Sequence, residues 1–195
     1  MRIVLVAVAL AATAMPALAH TGVGATSGLA AGFTHPLLGL DHLLAMIAVG
    51  LFAASRGGKA LWLVPLAFVA MMAAGGLLAM AGIGLPMVEL GIALSVVVLG
   101  AAVALRLSLP VAGAMALVGA FALFHGHAHG AEMPAGASAM SYALGFVLAT
   151  AMLHAVGVGI GLVAGIGSQR VGQWAMRTCG SVMALAGVGI LAGVI

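Results

Sequence analysis

ALWLVPLAFVAMMAAGGLLAMAG, residues 60–82, carries no charged side chain and runs into the turn-forming Gly82-Ile83-Gly84-Leu85-Pro86. A helix needs about 20 apolar residues to cross the hydrocarbon of a bilayer, so this stretch reads as a transmembrane span. Upstream, Arg56-Gly57-Gly58-Lys59 separates it from another apolar run within residues 28–54. Downstream come further runs at 88–105, ending at Arg106, and at 110–125, opened by Pro110 in a position favoured at helix starts. A polar segment, His125 to Ser138, precedes a fifth run at 139–166, and Ser168 to Arg177 leads to a last one reaching Ile195. The reading is an all-α polytopic bundle of about six spans, forming one transmembrane domain over residues 20–195.

Composition agrees. The 195 residues are 65% hydrophobic and 5% charged, whereas soluble domains run near a quarter charged. The 30 glycines suit helices that approach closely in lipid, and Gly157, Gly161, Gly165, Gly180 and Ala184 predict close crossings by the fifth and sixth spans. A pI near 10.0 comes from six Lys and Arg against three acids. No basic patch results, so nucleic acid is not an expected partner. The single cysteine, Cys179, allows neither an internal disulfide nor a cysteine metal cluster.

Residues 1–19 read as a signal peptide. Arg2 is the charged start, Ile3 to Ala14 the apolar core, and Ala17-Leu18-Ala19 an A-x-A site. Cleavage after Ala19 leaves His20 at the mature amino terminus, outside the cytoplasm. The loops holding Arg56, Lys59, Arg106, Arg170 and Arg177 then all fall inside, as the positive-inside rule asks. Both mature termini and the histidine-rich segment after the fourth span face the periplasm, and the chain is expected as a multi-pass protein of the bacterial inner membrane.

Seven histidines stand out among so few ionisable residues, and ionisable groups within a membrane are costly enough to mark functional sites. His35-Pro36-Leu37-Leu38-Gly39-Leu40-Asp41-His42 places two imidazoles and a carboxylate in the first span. In a straight helix the two rings stand roughly 10 Å apart along the axis, too far to share one ion. Residues before proline avoid helical backbone, so His35 is expected on a non-helical or re-entrant piece that folds back. Asp41 either ligates metal or orients a histidine.

After the fourth span, His125, His127 and His129 alternate with small residues ahead of Glu132. Such alternation predicts an adaptable loop, and imidazole suits zinc, copper and nickel. His154 stands alone in the fifth span, one turn after Thr150. His20, as a mature terminus, can chelate through amine and ring together, although many exported chains begin with an arbitrary residue. Glu89 reads as an ordinary acid at a helix start, and the 13 methionines as apolar filler.

These residues resemble the HupE/UreJ family of hydrogenase and urease accessory membrane proteins over nearly the full mature length. The resemblance rests on His35-Pro36-x-x-Gly39-x-Asp41-His42, on His125-Gly126-x-Ala128-His129-Gly130-x-Glu132-x-Pro134, and on Gly145-Phe146, Ala149-Thr150 and Leu153-His154. It implies uptake of nickel, or sometimes cobalt, to feed metalloenzyme maturation. The first element is also similar to the His-x4-Asp-His signature of nickel/cobalt transporters, with five residues here between His35 and Asp41.

The expected function is therefore a permease for Ni2+, alternatively Co2+, with no prosthetic cofactor. His20, His125, His127, His129 and Glu132 would gather the ion, and His35, Asp41, His42 and His154 would form the intramembrane site. The alternative is a non-transporting accessory protein that binds metal and presents it to a partner. An intramembrane zinc hydrolase is a third class, disfavoured because no H-E-x-x-H element is present; the chain is not expected to be an enzyme. No P-loop appears either. Metalloenzyme maturation proteins and further copies of the chain are the protein partners left open.

Overall fold

A computed structural model describes residues 28–133, 137–166 and 169–195. The expected signal peptide and His20 lie outside the described residues. Seven helices make up the described chain: α1 (Gly28–Leu38), α2 (Leu40–Arg56), α3 (Ala60–Met80), α4 (Val88–Ala104), α5 (Val111–Ala131), α6 (Ala139–Ile166) and α7 (Gln169–Leu191). No strand occurs among these residues. Four helices, α3, α5, α6 and α7, are long and apolar enough to cross a membrane alone. The α1–α2 pair does so as a bent unit, and α4, at 17 residues, is shorter.

The first apolar run is broken, but the break falls at Gly39 and not at His35. Helix α1 continues through His35 and Pro36, Gly39 adopts extended backbone (φ −83°, ψ 117°), and α2 departs at 82°. Pro36 lies within helix α1 and is buried. The missing side chain at Gly39 matters to the site: a Cβ there would stand 3.0 Å from Asp41 Oδ1 and 3.1 Å from His42 Nδ1, crowding the contact between them.

Two other boundaries are corrected. The segment expected as a histidine-bearing loop is helical, because α5 runs on to Ala131. Spacing explains this: His125 and His129 are four residues apart, one turn on a common helix face. Gly126 between them lets α5 lie directly on α3, where an added Cβ would collide with the Met72 carbonyl. Similarly, α7 already begins at Gln169, which puts Arg177 two turns inside a helix.

In lipid, helices associate through close packing more than through apolar burial, and the glycines do that work here. Gly75 and Gly130 join Gly126 at the α3–α5 contact. Gly157 and Gly161 pack α6 on α2 at Ile47 and Ala54, and Gly180 packs α7 on α4 at Ala104 and Gly100. The predicted close crossings exist, with α2 and α4 as the partners, while a Cβ added at Gly165 would meet nothing within 4 Å. Met46, Val49, Phe52, Phe68 and Val103 fill the centre, fully buried.

The two ends of the bundle differ. Arg56 donates to Ser108 Oγ at 3.1 Å, tying the end of α2 to the α4–α5 connection. Arg106, Gln169 and Gln173 line a cavity at the same end with Ala54 and Ser55, and Lys59 follows α2 directly. Trp62 and Trp174, the only two tryptophans, are exposed one turn beyond Lys59 and Arg170, as amphipathic rings at a membrane–water interface are. The opposite end carries Asp41, Glu89, Glu132 and most of the histidines.

Candidate metal site

The break at Gly39 brings α1 and the start of α2 against the end of α5. On α2, the Asp41 carboxylate accepts from its neighbour twice, through the His42 backbone N–H and through ring Nδ1, each at 2.7 Å. A carboxylate only accepts, so the His42 proton sits on Nδ1 and Nε2 keeps its lone pair. That Nε2 is buried and makes no hydrogen bond among the described residues. Asp41 therefore orients a histidine in the manner that commonly fixes metal-binding imidazoles.

Around His42 the other rings form a file that descends into the bundle. Glu132 Oε2 lies 3.1 Å from His35 Nε2 at the rim. The His35 ring centroid is 4.7 Å from that of His129, which is 4.3 Å from His42, which is 4.9 Å from His125. Phe68 follows at 5.7 Å, and beyond it His154 at 5.1 Å. His154 stands about 22 Å along α6 from its first residue, close to mid-helix.

Burial grades the file. The side chains of Glu132 and His35 are 52% and 37% exposed, whereas His129, His125 and His154 are buried. Both ring nitrogens of His129 and of His154, and Nδ1 of His125, are buried without hydrogen-bond partners among the described residues. Buried polar atoms are nearly always paired, and a row of unpaired imidazole nitrogens is what a chain that binds cations leaves free. At the rim, one ligand atom each from His35, His129 and Glu132 lies within 4.8 Å of the others. Ligands about 2.1 Å from a common ion stand roughly 3.5 Å apart, so small rotations of the two exposed side chains suffice to close on an ion. Outside the spans, the Glu132 carboxyl is held below its ordinary value of 4.5 chiefly by its hydrogen bond with His35.

The residues expected at the site divide clearly. His35, Asp41, His42, His125, His129 and Glu132 come together, and His154 lies beyond Phe68 on the same file. His127 does not join. The helix turns it away from its neighbours, and its Nε2 donates to the Ile83 carbonyl at 2.9 Å, pinning the α3–α4 turn. Glu89 is exposed in the first turn of α4, as an acid at a helix start should be. Among the methionines, Met72 accepts from Thr150 Oγ1 at 3.7 Å, one turn before His154.

Several neighbours went unforeseen. Phe68 separates His125 from His154, and Tyr142 lies 6.4 Å from His35 with its hydroxyl buried and unpaired among the described residues, while Phe146, a residue of the third motif, lies 3.8 Å from His129. Ser95 Oγ stands 2.8 Å from His125 Nε2. A lone serine inside an otherwise apolar span was the one local signal for the last; the aromatic residues look like ordinary core in the sequence.

No solved structure matches this chain. Among curated proteins it is 47% identical over 185 residues to Protein HupE of Rhizobium leguminosarum bv. viciae, covering 94% of this chain and 95% of that protein. The HupE / UreJ protein family matches residues 8–190, which include the whole histidine file. The chain belongs to the HupE/UreJ family.

Proposed function

We propose that this protein carries a divalent transition metal, nickel or alternatively cobalt, across the bacterial inner membrane to supply the maturation of metalloenzymes such as hydrogenase or urease. The observation that carries the reading is the file of imidazoles with free buried nitrogens leading from a half-exposed carboxylate to the middle of the bundle. In this reading residues 1–19 are removed as a signal peptide. The α1–α2 pair counts as one broken span and α4 as another, giving six, and the histidine end faces the periplasm. The lysine and arginines gathered at the opposite end support that orientation.

Each step asks something different of the residues. Glu132 attracts the hydrated ion, and His35 and His129 replace part of its water. His42, oriented by Asp41, and His125 then offer Nε2 and Nδ1 deeper in. Neutral imidazole suits nickel, and a handover between neighbouring rings at 4–5 Å keeps the ion coordinated while it loses water. His154 is the last such group, and Phe68 must move for the ion to reach it.

Uptake of radioactive nickel into proteoliposomes tests the proposal. Saturable uptake that cobalt competes and that His42→Ala abolishes is the expected result; normal uptake by a well-folded His42→Ala protein would sink the assignment.

A second reading has its own observation. Beyond His154 no His, Asp or Glu occurs towards the cationic end among the described residues, where Arg106, Gln169 and Gln173 line the cavity instead. A protein that binds metal and presents it to a partner would need no exit. Binding by the purified protein without liposome uptake favours that role.

A further inference from the structure

We propose that Ser95 on α4 is a positioning residue that fixes His125 in the Nε2–H tautomer, so that His125 meets a divalent cation through Nδ1. This rests on the metal-binding reading of the histidine file and adds a residue that none of its motifs contains.

The argument is one of proton accounting. Ser95 is fully buried, and its Oγ lies 2.6 Å from the Ile92 carbonyl and 2.8 Å from His125 Nε2. A carbonyl oxygen can only accept, and a serine hydroxyl has one proton. That proton therefore goes to Ile92, which leaves Oγ facing His125 as an acceptor. His125 Nε2 must then be the donor and carry the ring proton. In a neutral imidazole the other nitrogen, Nδ1, is left with a lone pair. Nδ1 is the His125 atom that is buried with no partner among the described residues.

His42 reaches the same end by the opposite tautomer. There the Asp41 carboxylate takes the Nδ1 proton and Nε2 is left free. The two rings, 4.9 Å apart, are thus set by two different acceptors, one charged and one neutral. A neutral hydroxyl suits the deeper position, because a second carboxylate there would cost far more to bury. Serine on α4 also ties the ring on α5 to a third helix.

The histidine 15N spectrum of the full chain in lipid nanodiscs, free of metal and at a pH where imidazole is neutral, tests this directly. The His125 resonances are identified by their loss in His125→Gln. A protonated Nε2 and a bare Nδ1 are expected, and a proton on Nδ1 would overturn the assignment. Nickel titration by calorimetry supplies the second measurement. Ser95→Ala should weaken binding about tenfold or more, in the range found when groups supporting a metal ligand are removed, and Ser95→Thr, which keeps the hydroxyl, should recover most of it. Wild-type affinity in Ser95→Ala, or no recovery in a folded Ser95→Thr, overturns the proposal. The tautomer is read without metal and without transport, so a protein that fails to move nickel would sink the permease reading and leave this assignment standing.

Discussion

The rim of the histidine file and its inner end use the same side chain in opposite settings. At the rim, His35 and Glu132 are partly exposed and hydrogen-bonded to each other, and His129 lies against them. At the inner end, His154 is 2% exposed, touches Phe68, and has neither ring nitrogen paired among the described residues. A carboxylate can be kept where water still reaches it, and is too costly at mid-bundle. The rim is thus suited to attracting and holding a cation, and the inner end to receiving one that has already lost its water. Binding and passage should therefore respond to different substitutions.

The largest effect should come from the ring that both parts of the site share. His129 contacts His35 on one side and His42 on the other, so His129→Ala should weaken nickel binding about 100-fold, the upper range for disturbing a metal site. His127→Ala, two residues away, should leave binding nearly unchanged, because that ring serves the Ile83 carbonyl. Calorimetric titration of both variants compares them; equal losses would mean that the segment acts as a whole and that its helical facing is irrelevant.

The inner end makes the reverse prediction. His154→Ala should bind nickel almost as the wild type does, yet transport it roughly tenfold more slowly, a change in maximal rate with little change in half-saturation. Uptake kinetics in proteoliposomes set beside equilibrium binding decide it. A binding loss equal to that of His129→Ala would show one continuous site and erase the distinction between the two ends.

How much of this was legible follows from what each signal depends on. The all-helical, apolar character of the chain was legible because the cost of burying charge in lipid is read from composition alone, as in residues 60–82. Most of the residues that gather at the candidate site were legible too, since few other ionisable groups compete with them. Their facing was not. His125, His127 and His129 look equivalent as an alternating run, and only the continuation of α5 to Ala131 sends two inward and one outward. Nor could the break be placed: Pro36 is the stronger local marker, but α1 tolerates it and bends at Gly39, where a side chain would crowd Asp41 and His42. Ser95 became visible only once α4 and α5 were side by side, because its partner is 30 residues away.

The smallest expected effect sharpens the comparison at the rim itself. If Glu132 only attracts the ion, Glu132→Gln should raise the half-saturation concentration roughly two- to fivefold, since interactions of exposed charges are worth about 0.2–1 kcal/mol, and added salt should shrink the difference. A loss near that of His129→Ala would instead make Glu132 a direct ligand. Acidification separates the carboxylate from the rings. A carboxyl held below 4.5 by His35 stays charged as the pH falls through that value, and the stability it contributes, present at higher pH, is lost only below it. Imidazoles cannot ligate once they are protonated. Binding should therefore fall on acidification in Glu132→Gln as it does in the wild type. A variant whose binding no longer varied with pH would make Glu132, and not the histidines, the group that titrates.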